Sequence, residues 1–320
     1  STLARAAVAY PRLVWRFLRA PRRDVVLVLY PGWFDVIVLA PLARLRGMPV
    51  LFDPFISVYD TVVSDRALVE PRSLLGRIVR VVDRASLRGA RRVIADTPSH
   101  AAFYADLARI PPERVGVVWV GADDGVFRPR PEVVPAARRV LFYGTFIKLH
   151  GIDVIVRAAK LLEGDDVEVR IIGTGQESER VDELLRELRP TNVLRIEHVA
   201  PELLADEIAT ATLCLGIFGT TAKAQRVVPN KVFECVAVGR PVITADTEGM
   251  RSAFTDEEIA MVPPGDPEAL ANEIRRLLAE PASRERMAVA AHKRYLGEYA
   301  TEFLMRALSA ELEATMRARR

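Results

Sequence analysis

Short continuous runs of β-branched and apolar residues alternate along the chain with longer stretches whose apolar positions recur every three to four residues. "VVLVLY" (Val25 to Tyr30) leads into a helical pattern ending near Gly47, then "PVLFDP" (Pro49 to Pro54). The helix "RSLLGRIVRVVDRASLRGA" follows, its arginines on the face opposite its apolar positions. "RRVIAD", the short helix "SHAAFYADLA" and "RVGVVWVG" complete a first series. "GADDGVFRPRPEVVPAARR" lacks strong periodicity and reads as a linker. A second series opens at "RVLFYG" (Arg139 to Gly144) and a helix from Asp153 to Leu162. It continues through "EVRIIG", "SERVDELLRELR", "NVLRIEHV", "PELLADEIATA", "LCLGIFG", "PNKVFECVAVG", "PVITAD" and "AMVP", and the helix after "PPGDPEALANEI" runs to about Ala279.

Strands and helices that alternate this regularly predict right-handed crossovers and parallel sheets covered on both faces. The expected fold class is α/β, with two Rossmann-like doubly wound domains over residues 1–130 and 131–300. A C-terminal helix, 301–320, is expected to pack back on the first domain. A ligand is expected in the cleft between the domains, at the carboxyl ends of the strands.

Composition narrows the function without naming it. Half of the 320 residues are hydrophobic, 27% are charged and the net charge is only +3, which excludes a disordered chain. The charge is uneven. Residues 1–130 carry 20 arginines, no lysine and 12 acidic residues, a net +8, against −5 for the rest. Such an asymmetry suits either an anionic partner or a solvated basic face. Cys214 and Cys235 lie in apolar surroundings without ligand-like spacing and read as reduced core cysteines of a cytoplasmic protein. The most apolar stretch, Val25 to Ala43, is broken by Pro31, Gly32 and Asp35, so strand, turn and helix explain it better than a membrane span. The first 20 residues carry four arginines and no long apolar core, so neither a secretion signal nor an anchor is expected. Walker loops, HExxH and the serine elbow are absent, and aromatics at 7% are not interleaved with basic runs, which argues against nucleic acid.

The chemistry concentrates in "RVVPNKVFECVAVGRPVITAD", Arg226 to Asp246. Lys231 and Glu234 are three residues apart near a helix start, so both project from one face. A helix N-terminus favours phosphate through its unpaired N–H groups and dipole, and Lys231 adds a full charge. A carboxylate at Glu234 can accept two hydroxyl hydrogen bonds at once, which suits a ribose diol. A solvated salt bridge is the plainer alternative. "GIFGTTAK" (Gly216 to Lys223) leaves a strand with two glycines and two threonines, a way of bringing backbone donors near a diphosphate.

Taken in order and spacing, "FYGTFIKLHGIDVIVRAAKLL", "VEVRIIGTGQESERVDELL", "VAPELLADEIATATLCLGIF", "PNKVFECVAVGRPVITAD" and "MVPPGDPEALANEIRRLLAE" resemble the retaining GT-B glycosyltransferases of group 1. The resemblance covers roughly Val115 to Glu280 and is weak before it. It implies a nucleotide-sugar donor as co-substrate, no cofactor, no metal, retention of configuration and a lipid-linked or polysaccharide acceptor. It places Gly144, Thr145, Lys148, His150, Gly175, Phe218, Thr220, Thr221, Asn230 and Glu234 at the donor. Arg226, Lys231 and Asp53 take the catalytic positions.

The departures from the family pattern matter as much. The usual arginine after the loop glycine is Thr145, and the usual lysine before the second glycine is His150. Lys148 can replace one of those charges, and His150 is a cationic donor if a phosphate raises its pKa. The first of two glutamates eight positions apart is Arg226, which could fork onto the leaving diphosphate. Asp53 stands where the family often carries a histidine, and it reads either as an acceptor-hydroxyl contact or as a strand-end turn residue. His100, close to a helix start, has a similar status. His198 and His292 have no motif support and read as structural. About four strands precede the linker, so the first domain is expected to be incomplete at its N-terminus, with an open sheet edge that invites a second copy or another subunit. The resulting expectation is a glycosyltransferase at the cytoplasmic face of the inner membrane. There the helix from Arg72 to Arg92 and "YPRLVWRFLRA" would rest on anionic lipid. The alternative is a subunit that binds the nucleotide but does not transfer.

Overall fold

The computed structural model describes residues 2–66 and 68–317. It divides into two compact units, one of Ser1–Val63, Ala67–Val118 and Arg306–Arg320, the other of Ser64–Arg66 and Trp119–Met305.

The first unit opens with α1 (Thr2–Arg19), followed by β1 (Val26–Val28), α2 (Trp33–Leu45), β2 (Val50–Phe52), α3 (Leu74–Gly89), β3 (Arg92–Ala95), α4 (Pro98–Ala108) and β4 (Val115–Val117). Its four strands are all parallel, in the order β1-β2-β3-β4, and β1 is an edge strand. Leu51, Phe52 and Val93 are fully buried, as a sheet covered on both faces requires. Helix starts are set by side chains. Thr97 accepts the His100 N–H at the head of α4, with Pro98 as first helical residue, and Ser73 accepts the Gly76 N–H at the head of α3.

The second unit runs β5 (Arg139–Tyr143), α5 (Ile152–Leu161), β6 (Glu168–Ile172), α6 (Ser178–Leu188), β7 (Val193–Ile196), α7 (Pro201–Thr210), β8 (Leu213–Leu215), α8 (Asn230–Val238), β9 (Val242–Ala245), α9 (Glu248–Ala253), β10 (Ala260–Val262), α10 (Pro267–Ala279) and α11 (Pro281–Arg294). α12 (Thr301–Arg317) starts in this unit, and its last turns belong to the first, where Glu311 pairs with Arg92 of β3 at 2.8 Å. The six parallel strands are ordered β10-β9-β8-β5-β6-β7. β5 lies centrally, with Val140, Leu141 and Phe142 buried on alternating faces against two apolar clusters. Cys214 and Cys235 are free and buried, as read from the sequence.

Three features differ from the sequence reading. The first residues, whose Pro11 and arginines mask a helical pattern, form α1. α9 sits where the sequence suggested only a link between strands. The third concerns α3, whose apolar stripe faces solvent: Leu74, Leu75, Ile78 and Val81 are exposed, and the buried residues are Gly76, Asp83, Ser86 and Leu87. The reason is Asp83, which accepts from Ser57 Oγ at 2.5 Å and from the backbone N–H groups of Tyr59 and Val58 at 2.9 and 3.2 Å. Anchoring those donors orients the helix through a polar contact, and burial raises the Asp83 pKa although the hydrogen bonds oppose the shift. Asp83→Ala leaves buried donors unmet and should cost about 2–3 kcal/mol, read from urea unfolding. An unchanged midpoint would show that α3 is held by Leu87 packing alone.

Candidate functional site

Strand order fixes where a ligand can sit in the second unit. From β5 the chain moves outward through β6 and β7, then crosses to β8 and builds β9 and β10 on the other side. The order reverses between β5 and β8, so the loops leaving their carboxyl ends frame a crevice. Residues 144–151 leave β5, and residues 216–229 leave β8. The two loops are held by backbone contact: the Phe218 N–H donates to the His150 carbonyl at 3.0 Å. Gly151, at φ +61°, approaches so closely that a Cβ there would lie 2.5 Å from the Phe218 carbonyl carbon.

α8 begins directly after the β8 loop, and its N-cap residue, Pro229, makes no side-chain cap to the first amides. Those donors and the positive end of the helix remain available to an anion. Lys231, in the first turn, is 6% exposed. Its Nζ lies 4.2 Å from the centre of the Phe142 ring and has no hydrogen-bond partner among the described residues. Burial pushes its pKa down to about 7, with Cys235 and Glu234 acting in the opposite direction. A Cβ on Gly144 would sit 2.9 Å from this amine and 3.4 Å from His150 Cε1, so glycine keeps the space before the amine open.

His150 is buried, and its Nδ1 donates to the Thr145 carbonyl at 2.5 Å. Burial, then the charges of Lys231 and Lys223, hold its pKa well below the usual imidazole value. The expected cationic donor is therefore neutral in the ligand-free site. Glu234 lies one turn beyond Lys231 and accepts the Tyr143 hydroxyl at 2.5 Å. Burial raises its pKa, opposed by the Tyr143 hydrogen bond and Lys231.

The structure thus gathers Gly144, Thr145, His150, Asn230, Lys231 and Glu234 around the end of β5 and the start of α8. Lys148, Phe218, Thr220 and Thr221 line a pocket of about 330 Å³ together with Asp153 and Arg180. Gly175 packs on the Phe146 backbone, where a Cβ would meet its N at 2.6 Å. Arg226 is half-buried in the β8 loop, its N–H donating to the Lys223 carbonyl at 3.0 Å and its carbonyl packed against Gly249. Asp53 belongs to the first unit. Three contributors escaped the sequence reading: Phe142 beneath the lysine, Tyr143 on Glu234, and the buried Lys223. The aromatic pair closing the run "VLFYG", and a lysine flanked by alanines in "TTAKAQ", were the available signals.

Comparison with known proteins finds a family match in each half of the chain. Residues 137–280 match the family described as glycosyl transferases group 1, and residues 2–121 match the glycosyl transferase 4-like domain. Each half of the chain is thus similar to a glycosyltransferase domain family. A D-inositol 3-phosphate glycosyltransferase of Thermomonospora curvata is 33% identical over 247 residues, 67% of this chain and 55% of the relative. The lipopolysaccharide core biosynthesis glycosyltransferase LpsD of Rhizobium meliloti is 29% identical over 214 residues, 61% of this chain and 60% of the relative. The chain thus spans little more than half of either relative's length. Among solved structures, Anabaena HepE in complex with UDP superposes with a TM-score of 0.71 at 14% identity, over 90% of this chain and 79% of that one. Sucrose-phosphate synthase of Thermosynechococcus elongatus gives 0.73 at 22% identity, over 91% of this chain and 74% of that one. These likenesses show that the chain has the GT-B fold.

An unpaired buried amine has a measurable consequence for stability. Lys231 titrates near pH 7 in the folded chain but at its ordinary 10.5 when unfolded, so between those values the unfolded state binds more protons and stability rises with pH. Lys231→Met removes that dependence. The variant should exceed the parent by roughly 2–4 kcal/mol at pH 7, and the gap should close toward pH 10 in urea unfolding. A gap independent of pH would contradict the burial of a titrating amine.

Proposed function

We propose that the chain transfers a sugar, with retention, from a nucleotide-sugar donor to a lipid-linked or polysaccharide acceptor. The observation that carries this reading is the buried, unpartnered Lys231 amine beside the uncapped start of α8. A diphosphate placed there receives backbone N–H donors and the ammonium, and Lys231 recovers its proton as the anion arrives. Glu234, positioned by Tyr143, accepts the hydroxyls of the nucleoside ribose. Stabilising the departing diphosphate is the main demand of such a transfer, and preorganised donors are worth roughly 3–4 kcal/mol each. Arg226 and Lys148 extend the same role from the adjoining loops, and Asp53 contacts the acceptor. No metal or further cofactor enters this scheme, because helix start and lysine supply the positive charge. One relative is named a D-inositol 3-phosphate glycosyltransferase, another a lipopolysaccharide core biosynthesis glycosyltransferase, and HepE was solved in complex with UDP, which supports a uridine donor and a hydroxylated acceptor.

Docking at the cytoplasmic face of a membrane is part of this reading. The exposed Leu74, Leu75, Ile78 and Val81 lie beside Arg77, Arg84 and Arg88 on α3, and Trp15 and Leu18 are exposed on α1. Apolar residues bordered by arginines suit an anionic lipid surface. No helix among the described residues is long and apolar enough to cross a membrane. A second reading, a nucleotide-binding subunit that does not transfer, is favoured by Thr145, His150 and Arg226 at positions where the family pattern has other residues. On that reading the unpaired edge of β1 receives a second copy or another chain.

Thermal shift against UDP, ADP and GDP tests the donor site. One diphosphate should stabilise the parent by about 2.7 kcal/mol at a hundred times its dissociation constant, and both Lys231→Ala and Glu234→Ala should lose most of that shift. Turnover of the matching nucleotide-sugar separates the two readings, since binding without hydrolysis or transfer supports the subunit. Sedimentation with phosphatidylglycerol vesicles should carry down the parent at low salt, but not a Leu74→Ser, Ile78→Ser, Val81→Ser triple variant. Equal sedimentation of both would remove α3 from the membrane account.

A further inference from the structure

The second unit holds a cavity of about 580 Å³ at the end of its sheet opposite the donor crevice. Arg138, Thr212 and Pro241 line it, and they directly precede β5, β8 and β9, three neighbours in the sheet. Arg284, Glu285 and Val289 of α11 form another wall. Gly239 and Arg240, which follow the last residue of α8, close it, so the cavity lies at the far end of α8 from Lys231. Its volume falls within the range of pockets that take small organic ligands.

The lining is strongly cationic. Three arginines, Arg138, Arg240 and Arg284, stand against one acid, Glu285, which leaves a formal charge of +2. Arg138 Nη2 donates to the Asp165 carbonyl at 2.8 Å, while the Asp165 carboxylate is taken by Arg275, also at 2.8 Å. Arg284 Nη1 donates to the Leu277 carbonyl at 2.9 Å. Arg240 Nε is buried and has no hydrogen-bond partner among the described residues. Neutral carbonyls thus fix two of these side chains in place without compensating their charge. Elsewhere in the unit arginines meet acids, as Arg170 meets Glu207 and Arg276 meets Glu273, each at 2.6 Å. A guanidinium carries five N–H donors, so each of the three can still fork onto an anion in the cavity.

The geometry points to a binding site for a small phosphate monoester at the amino ends of β5, β8 and β9, with Arg138, Arg240 and Arg284 around the phosphate. A monoester carries roughly −1.5 to −2 near neutral pH, which answers the charge of the lining, and its oxygens suit guanidinium forks. The cavity is larger than a phosphate alone requires. Leu278, Ala288 and Val289 offer apolar surface to an organic body, and Glu285 can accept from a hydroxyl on it. The site shares no residue with the donor crevice and does not depend on the transfer reading.

Titration calorimetry at constant ionic strength tests this, with glycerol 3-phosphate, inorganic phosphate and glycerol as probes. All titrations use the whole chain carrying Lys231→Met, whose donor crevice has lost its amine, so that an anion held there is not counted. Glycerol 3-phosphate should bind this chain about fivefold or more tightly than inorganic phosphate, through the added contacts of its carbon body, and glycerol should not bind. Adding Arg240→Met or Arg284→Met should weaken glycerol 3-phosphate about tenfold or more. Ala288→Phe, which fills the cavity and keeps every charge, should weaken it as much. An unchanged circular-dichroism spectrum and a cooperative thermal transition certify the fold of each variant. No binding of glycerol 3-phosphate, or undiminished affinity in both arginine variants, overturns the site. Equal affinity for the two phosphates shows an adventitious ion only and overturns it as well. Loss in the arginine variants with full affinity in Ala288→Phe places the anion on the outer surface and overturns the cavity.

Discussion

A primary amine is kept in the interior of the second unit without a hydrogen-bond partner among the described residues. Lys231 lies over the Phe142 ring, close to Gly144 and His150, and burial has lowered its pKa to about 7. Such a group weakens the folded state on its own account, since desolvating an unpaired cation is expensive. A fold keeps this kind of destabilisation where an incoming ligand will relieve it. The surrounding constraints follow from that: Gly144 leaves room before the amine, the two loops are clamped through backbone, and Pro229 gives α8 no side-chain cap.

The same crevice shows how an altered family pattern can keep its chemistry. Where the family pattern carries loop cations, this chain has Thr145 and His150, and His150 is buried, neutral and bonded to the Thr145 carbonyl. The buried lysines near this crevice are Lys231 at the start of α8 and Lys223 in the loop before it. A charge carried on a helix is held more rigidly than one on a loop side chain, and a rigid charge serves preorganised stabilisation better.

Much of the architecture was legible in the sequence because periodicity reports burial directly. "RVLFYG", "EVRIIG" and "PVITAD" are runs buried on both faces, and they became β5, β6 and β9. Less legible were features decided by one long-range polar contact. Asp83 turns the apolar stripe of α3 outward by accepting from Ser57, Val58 and Tyr59, and no period reveals that. Lys231 and Glu234 were found from their spacing, yet the burial that makes Lys231 chemically unusual depends on Phe142, far away in sequence.

The central claim is that an anion charges the Lys231 amine as it binds. Calorimetry of UDP binding at pH 7.5 in two buffers of different ionisation enthalpy measures the protons taken up. The account predicts a substantial fraction of one proton absorbed by the parent and a much smaller fraction by Lys231→Met. Binding with no proton uptake, or with the same uptake in the variant, would contradict it.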